Sequence, residues 1–134
     1  MKAINLKNFL FSFFSALIIL STIQIISAQT KVYTPAKGSA ERKAVFDGIR
    51  KYRKSTNEIY NPDSLRMQNG WAFTVIPDPN EPDVDTLRLH LLLRKTGNTW
   101  KVLGQMEIRE GETWGTAVSR MRKKFPSSPK DIFQ

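Results

Sequence analysis

Leu65-Arg66-Met67-Gln68-Asn69-Gly70-Trp71-Ala72-Phe73-Thr74-Val75-Ile76 reads as two strands joined by a tight turn. Leu65 and Met67 alternate with Arg66 and Gln68, and Trp71, Phe73 and Val75 alternate with Ala72, Thr74 and Ile76, the period of a pleated strand. Between them, Asn69-Gly70 is the pair that tolerates positive φ at both central positions of a two-residue type I′ turn. Pro77, with no N–H to give a ladder, ends the second strand.

Working outward, Thr86 to about Lys95 continues the period of two, with Leu87, Leu89, Leu91 and Leu93 on one face and Thr86, Arg88, His90, Leu92 and Arg94 on the other. Thr96-Gly97-Asn98 turns the chain. Thr99 to Arg109 then returns with Trp100, Val102, Met106 and Ile108 on a common face. The expectation is a meander of about four antiparallel strands with one apolar side, which needs a cover. Upstream, Ser39 suits an N-cap, Glu41 the positive end of the dipole, and Val45, Phe46, Ile49 and Tyr52 form one helical stripe through about Arg53. Gly48 interrupts that helix and marks a close approach to the sheet. A second cover runs from about Glu112 to Phe125, with Trp114, Ala117, Val118, Met121 and Phe125 in register and Pro126 as the stop. Ile132 and Phe133 offer a hydrophobic tether in the tail. The fold class is therefore α+β: an N-terminal helix on a curved antiparallel sheet of about four strands, with a C-terminal helix.

The chain begins with an export pattern. Lys2 and Lys7 precede an apolar run from Phe9 to Leu20, and Ile26-Ser27-Ala28 forms a signal-peptidase site ahead of Gln29. The competing reading, an uncleaved anchor, draws on Ile23, Ile25 and Ile26, but Ser21, Thr22, Gln24 and Ser27 dilute it. The expected organisation is a signal peptide over 1–28, a flexible or extended lead-in over 29–38, and one α+β domain over 39–134, in a periplasmic or secreted protein. The absence of cysteine excludes disulfides, thiolate metal sites, thiol nucleophiles and a lipidated amino-terminal Cys. The formal charge is +9, two less once a leader carrying Lys2 and Lys7 is removed, and such an excess favours anionic partners.

Thr34-Pro35, Gly38-Ser39-Ala40-Glu41-Arg42-Lys43-Ala44, Asn69-Gly70-Trp71-Ala72-Phe73, Leu92-Leu93-Arg94-Lys95 with Gly97 and Trp100-Lys101-Val102, and Pro129-Lys130 with Ile132-Phe133 occur in that order. In this order and spacing the chain resembles a family of small exported bacterial proteins of uncharacterised function. The resemblance implies export and a helix on a curved sheet, in the manner of cystatin-like or nuclear-transport-factor-like folds. It implies no catalytic residues. A Thr-Asp-Val-aromatic segment expected in that family after Met106 is not reproduced by Arg109 to Trp114.

Four groups of residues invite a chemical reading. Asp78-Pro79-Asn80-Glu81-Pro82-Asp83-Val84-Asp85 clusters carboxylates but lacks the central glycine and ligand spacing of a calcium loop, so no metal is expected. His90 is the single histidine and the one candidate for histidine acid–base chemistry, as in a small exported hydrolase pairing it with a carboxylate; its expected neighbours Arg88 and Arg94 disfavour an imidazolium. Arg42, Lys43, Arg50, Lys51 and Lys54 on the first helix, with Arg120, Lys123 and Lys124 on the second, form the candidate set for a ligand or anionic partner; a plain solvated face is the alternative. Trp71, Phe73, Trp100 and Trp114 fall on apolar periods, which reads as core; they segregate from the basic faces, which disfavours nucleic acid. Cystatin-type protease inhibition is disfavoured by the missing Gln-x-Val-x-Gly wedge. The leading expectation is a non-enzymatic binding or envelope-associated domain whose partner is an anionic envelope component or a protein, with no cofactor, and which meets the membrane only through its signal segment before cleavage.

Overall fold

The computed structural model describes residues 31–81 and 87–134. The leader 1–28 and the Pro82–Thr86 part of the acidic loop lie outside the described residues. The order of elements is α1 (Ala40–Arg53), β1 (Ser64–Gln68), β2 (Trp71–Pro77), β3 (Arg88–Thr96), β4 (Thr99–Met106) and α2 (Trp114–Lys124), followed by a short 3-10 helix over Lys130–Phe133. The fold is α+β, and its four strands form an open antiparallel sheet in the order β1-β2-β3-β4.

Local chemistry accounts for the joints. Asn69 and Gly70 both have positive φ, 51° and 73°, and Gln68 faces Trp71 across them, as the type I′ reading requires. At the next hairpin Gly97 takes φ 59° between the paired Thr96 and Thr99. Ser39 caps α1 by accepting the Arg42 N–H at 3.2 Å, and Thr113 does the same for α2 from Thr116. In the lead-in, Tyr33 exchanges both backbone hydrogen bonds with Met67, at 3.0 and 2.8 Å, and so lines the outer side of β1.

The sheet is covered on both faces, where the sequence pattern suggested one apolar side. Val45, Phe46 and Ile49 of α1 pack on Leu65, Met67, Ala72, Ile76, Leu89, Leu91, Leu93, Trp100 and Val102. On the reverse, Trp71, Phe73, Leu92 and Met106 pack under Ala117 and Met121 of α2 and under Ile132 and Phe133 of the tail. Hence β2 and β3 sit in the middle of three layers, and both of their alternating sets are apolar.

One irregularity in β4 redistributes its residues. Leu92 faces Gly104 while Leu93 faces Val102, so Leu103 is an extra residue, a β-bulge. Before it, Trp100 and Val102 look toward α1; after it, Met106 looks toward α2. The expected common face of Trp100, Val102, Met106 and Ile108 is therefore split. β4 ends at Met106, and Ile108 is exposed.

The free side of β4 meets α1. Lys95 donates its backbone N–H to Gly70, toward β2, so Lys95 and Trp100 form a non-hydrogen-bonded pair and the Trp100 carbonyl points away from β3. Gly48 seats the α1 backbone against that carbonyl: a Cβ at position 48 would lie 2.4 Å from the Trp100 oxygen. A helix laid on an edge strand shields it from pairing with another chain.

Candidate functional site

The two basic clusters are separated by the sheet, because α1 and α2 lie on opposite faces. Several members are committed to structure. Arg42 donates to the Pro35 carbonyl at 3.2 Å and lies over the Phe46 ring; Arg50 donates to the Glu58 carbonyl and to Asp47 and lies over Tyr60. Arg120 grips Glu112 through two nitrogens at 3.1 and 2.8 Å and also donates to the Glu107 carbonyl. Those Arg120 bonds, with the Arg109 N–H, pull the Glu112 carboxyl down to about 2. Lys124 lies over Phe125. By contrast, Lys43, Lys51, Lys54 and Lys123 are exposed and make no ion pair among the described residues.

His90 sits on the α2 face, half-buried between aromatic rings. Its imidazole stacks on Phe73 at 6.5 Å and tilts against Trp114 at 5.4 Å. Burial holds its pKa below the ordinary 6.5, with the Asp63 charge opposing. Asp63 itself is taken by Arg88 at 2.5 Å. No Asp, Glu or Ser among the described residues hydrogen-bonds the imidazole. Three of the four large aromatics, Trp71, Phe73 and Trp100, are buried as the periodicity suggested; Trp114 is 39% exposed, with its Nε1 donating to the Phe133 carbonyl at 3.0 Å. No group of three or more His, Asp or Glu side chains among the described residues is arranged to hold a metal.

A second correction concerns Tyr52, expected on the inward stripe of α1. It is 49% exposed, and Tyr60 from the following loop fills the core instead, 5.8 Å from Phe46. The Tyr60 hydroxyl donates to Glu58, which Arg53 also holds at 2.9 Å, so a small polar network pins this loop to the end of α1. Burial would raise the Glu58 pKa, but the Tyr60 and Arg53 hydrogen bonds outweigh it and keep the carboxyl below its usual range.

Tyr52 thereby lines an open groove of about 720 Å³ between α1 and the β3–β4 hairpin. Gly48, Lys51 and Tyr52 form one wall, and Asn98, Trp100 and Lys101 the other. Asp47 also reaches it, but its carboxylate is bound by Arg50 at 2.8 Å, whereas Lys51 has no counter-ion among the described residues; Lys101, paired with Arg94 across the ladder, borders the groove on β4 but alternates toward the other face. Lys101 and Asn98 escaped the sequence reading; the close contact at Gly48 was the one signal that this hairpin lies beside the basic helix.

The class is thus a three-layer α+β domain with an open groove at the joint of α1 and β4. No known protein family, curated protein or solved structure matches the chain. Among the described residues no helix is long and apolar enough to cross a membrane.

Proposed function

We propose that the protein is an exported, non-enzymatic binding domain that engages an anionic partner along α1 in the periplasm or outside the cell. The observation that carries this reading is the division of labour among its cations. Arg42, Arg50 and Arg120 are tied into the fold, while Lys43, Lys51 and Lys54, along α1 and at its end, are exposed with no ion pair among the described residues, and Lys51 lines the groove. Unpaired ammonium groups beside an open groove raise the local concentration of anions. The leader pattern at Lys2 to Ala28 and the motif resemblance support export. On the other face, His90 lies among aromatic rings with Asp63 already held by Arg88, an arrangement that lends the hydrolase reading no support.

The test is equilibrium binding to a soluble polyanion and to vesicles containing anionic phospholipid, at low and high salt. Affinity should fall steeply with salt, because exposed charges are screened beyond a Debye length of about 8 Å at physiological ionic strength. The double variant Lys51→Ala/Lys54→Ala should weaken binding, and Lys123→Ala/Lys124→Ala, on the opposite face, should not. Absence of binding, or salt-independent binding, refutes the proposal. Export is checked by intact mass: a secreted species beginning at Gln29 is expected, and one beginning at Met1 overturns cleavage.

A further inference from the structure

We infer that the groove between α1 and β4 is a saccharide site for a short acidic glycan segment, a deduction that rests on the anionic-partner reading and names its chemistry. A groove of about 720 Å³ falls within the range of sites that enclose a drug-sized ligand. Its walls combine three kinds of group that a carboxylated sugar requires together.

The first is an aromatic face. Tyr52 is half exposed and its ring contacts no other ring or cation among the described residues, so an amphipathic surface is left open on the groove wall. The C–H face of a pyranose ring is apolar and flat enough to cover it. The second is neutral hydrogen-bonding capacity: Asn98, Thr96 and Thr99 line the same groove, and the Asn98 amide has no internal hydrogen bond among the described residues. Thr99 donates to the Thr96 carbonyl at 3.0 Å and keeps its acceptor side for a sugar hydroxyl. The third is charge. Lys51 meets the carboxylate, and the acidic Asp47 is offset by Arg50.

An acidic peptide is the competing occupant. Extended peptides draw much of their affinity from main-chain hydrogen bonds to an edge strand. Here the outward Trp100 carbonyl is covered by Gly48, and the bulge at Leu103 breaks the edge a short distance further on. The groove therefore presents side chains rather than a free backbone ladder, which favours a sugar.

The experiment titrates the full protein with tetragalacturonate and, separately, with hexaglutamate, following affinity by calorimetry and amide shifts by NMR. Tetragalacturonate should shift resonances of residues 47–52 and 96–102. Tyr52→Ala and Lys51→Ala should each weaken it at least about tenfold, the scale of one lost charge-assisted bond or stacking contact. Tyr52→Phe should retain binding, since the ring is kept, and Lys123→Ala/Lys124→Ala should be unchanged. Thermal melts of each variant establish that it is folded. Equal affinity for hexaglutamate, or tetragalacturonate binding indifferent to Tyr52→Ala, overturns the saccharide site and leaves the electrostatic reading standing. Failure of both probes, together with failure of the polyanions and vesicles above, removes both.

Discussion

Replacing Gly48 with alanine tests the joint on which both the fold and the groove depend. In a free helix the change stabilises, by about 1 kcal/mol. In this protein the added Cβ would lie 2.4 Å from the Trp100 carbonyl oxygen, 3.0 Å from its carbonyl carbon and 3.1 Å from its Cβ. The closest ordinary C···O contact is about 3.3 Å, so α1 has to retreat by about 0.9 Å. Because the obstacle is backbone, no rotamer change relieves it. Val45 and Ile49, both fully buried, would be drawn off the sheet with the helix. Overpacking of this kind costs about 1–3 kcal/mol, and a backbone obstacle puts it at the upper end. Net of the propensity gain, the expected loss is about 2 kcal/mol, or about 8 °C at about 4 °C per kcal/mol for a domain of this size. Urea and thermal unfolding measure it, with a lower midpoint and an unchanged urea slope. Gly115→Ala, where a Cβ meets nothing within 4 Å, is the control and should leave the melting temperature unchanged or higher. A Gly48→Ala protein as stable as the parent would refute the seating of α1 on β4.

Other expectations follow from the same contacts. Phe133, 2% exposed with its ring 4.8 Å from that of Phe73, anchors the tail; Phe133→Ala should cost about 3–5 kcal/mol in urea unfolding, and a loss below about 1 kcal/mol would show that the tail is not part of the core. Glu112 has a folded pKa near 2 against an ordinary 4.5, so its contribution is full above 4.5 and disappears as the pH falls toward 2; Glu112→Gln should flatten the acid side of the stability profile in that window, and an unchanged profile would dismiss the Arg120 clasp. His90 is held below 6.5 by burial, so the unfolded chain binds the proton first and stability from this group, full above 6.5, declines as the pH drops through the interval beneath it. As the single histidine, it gives one imidazole titration by NMR, and a midpoint at or above 6.5 would contradict its burial among Phe73 and Trp114.

What the sequence determined by itself was local. The type I′ turn at Asn69-Gly70, the Ser39 cap and the strand periods are set by neighbours a few residues apart, and the structure reproduces them. Even the close approach at Gly48 was legible, because a glycine within a helix gives up propensity for some packing reason. The tertiary structure alone decided the assignment of faces. Trp71, Phe73 and Val75 alternate with Ala72, Thr74 and Ile76, so both faces of β2 are rich in apolar side chains, and a period of two cannot say whether one cover or two will bury them. Nor does alternation encode the extra residue at Leu103 that turns Met106 to the other side. The candidate site suffered from the same gap. Charges on two helices read alike in a sequence, but here the sheet stands between them. Tyr60 took the core place expected of Tyr52 because the helix ends at Arg53 and the loop behind it folds back over the core. A groove is made where two elements distant in the chain lean together, and for that reason Tyr52 and Asn98 came to line one site only in three dimensions.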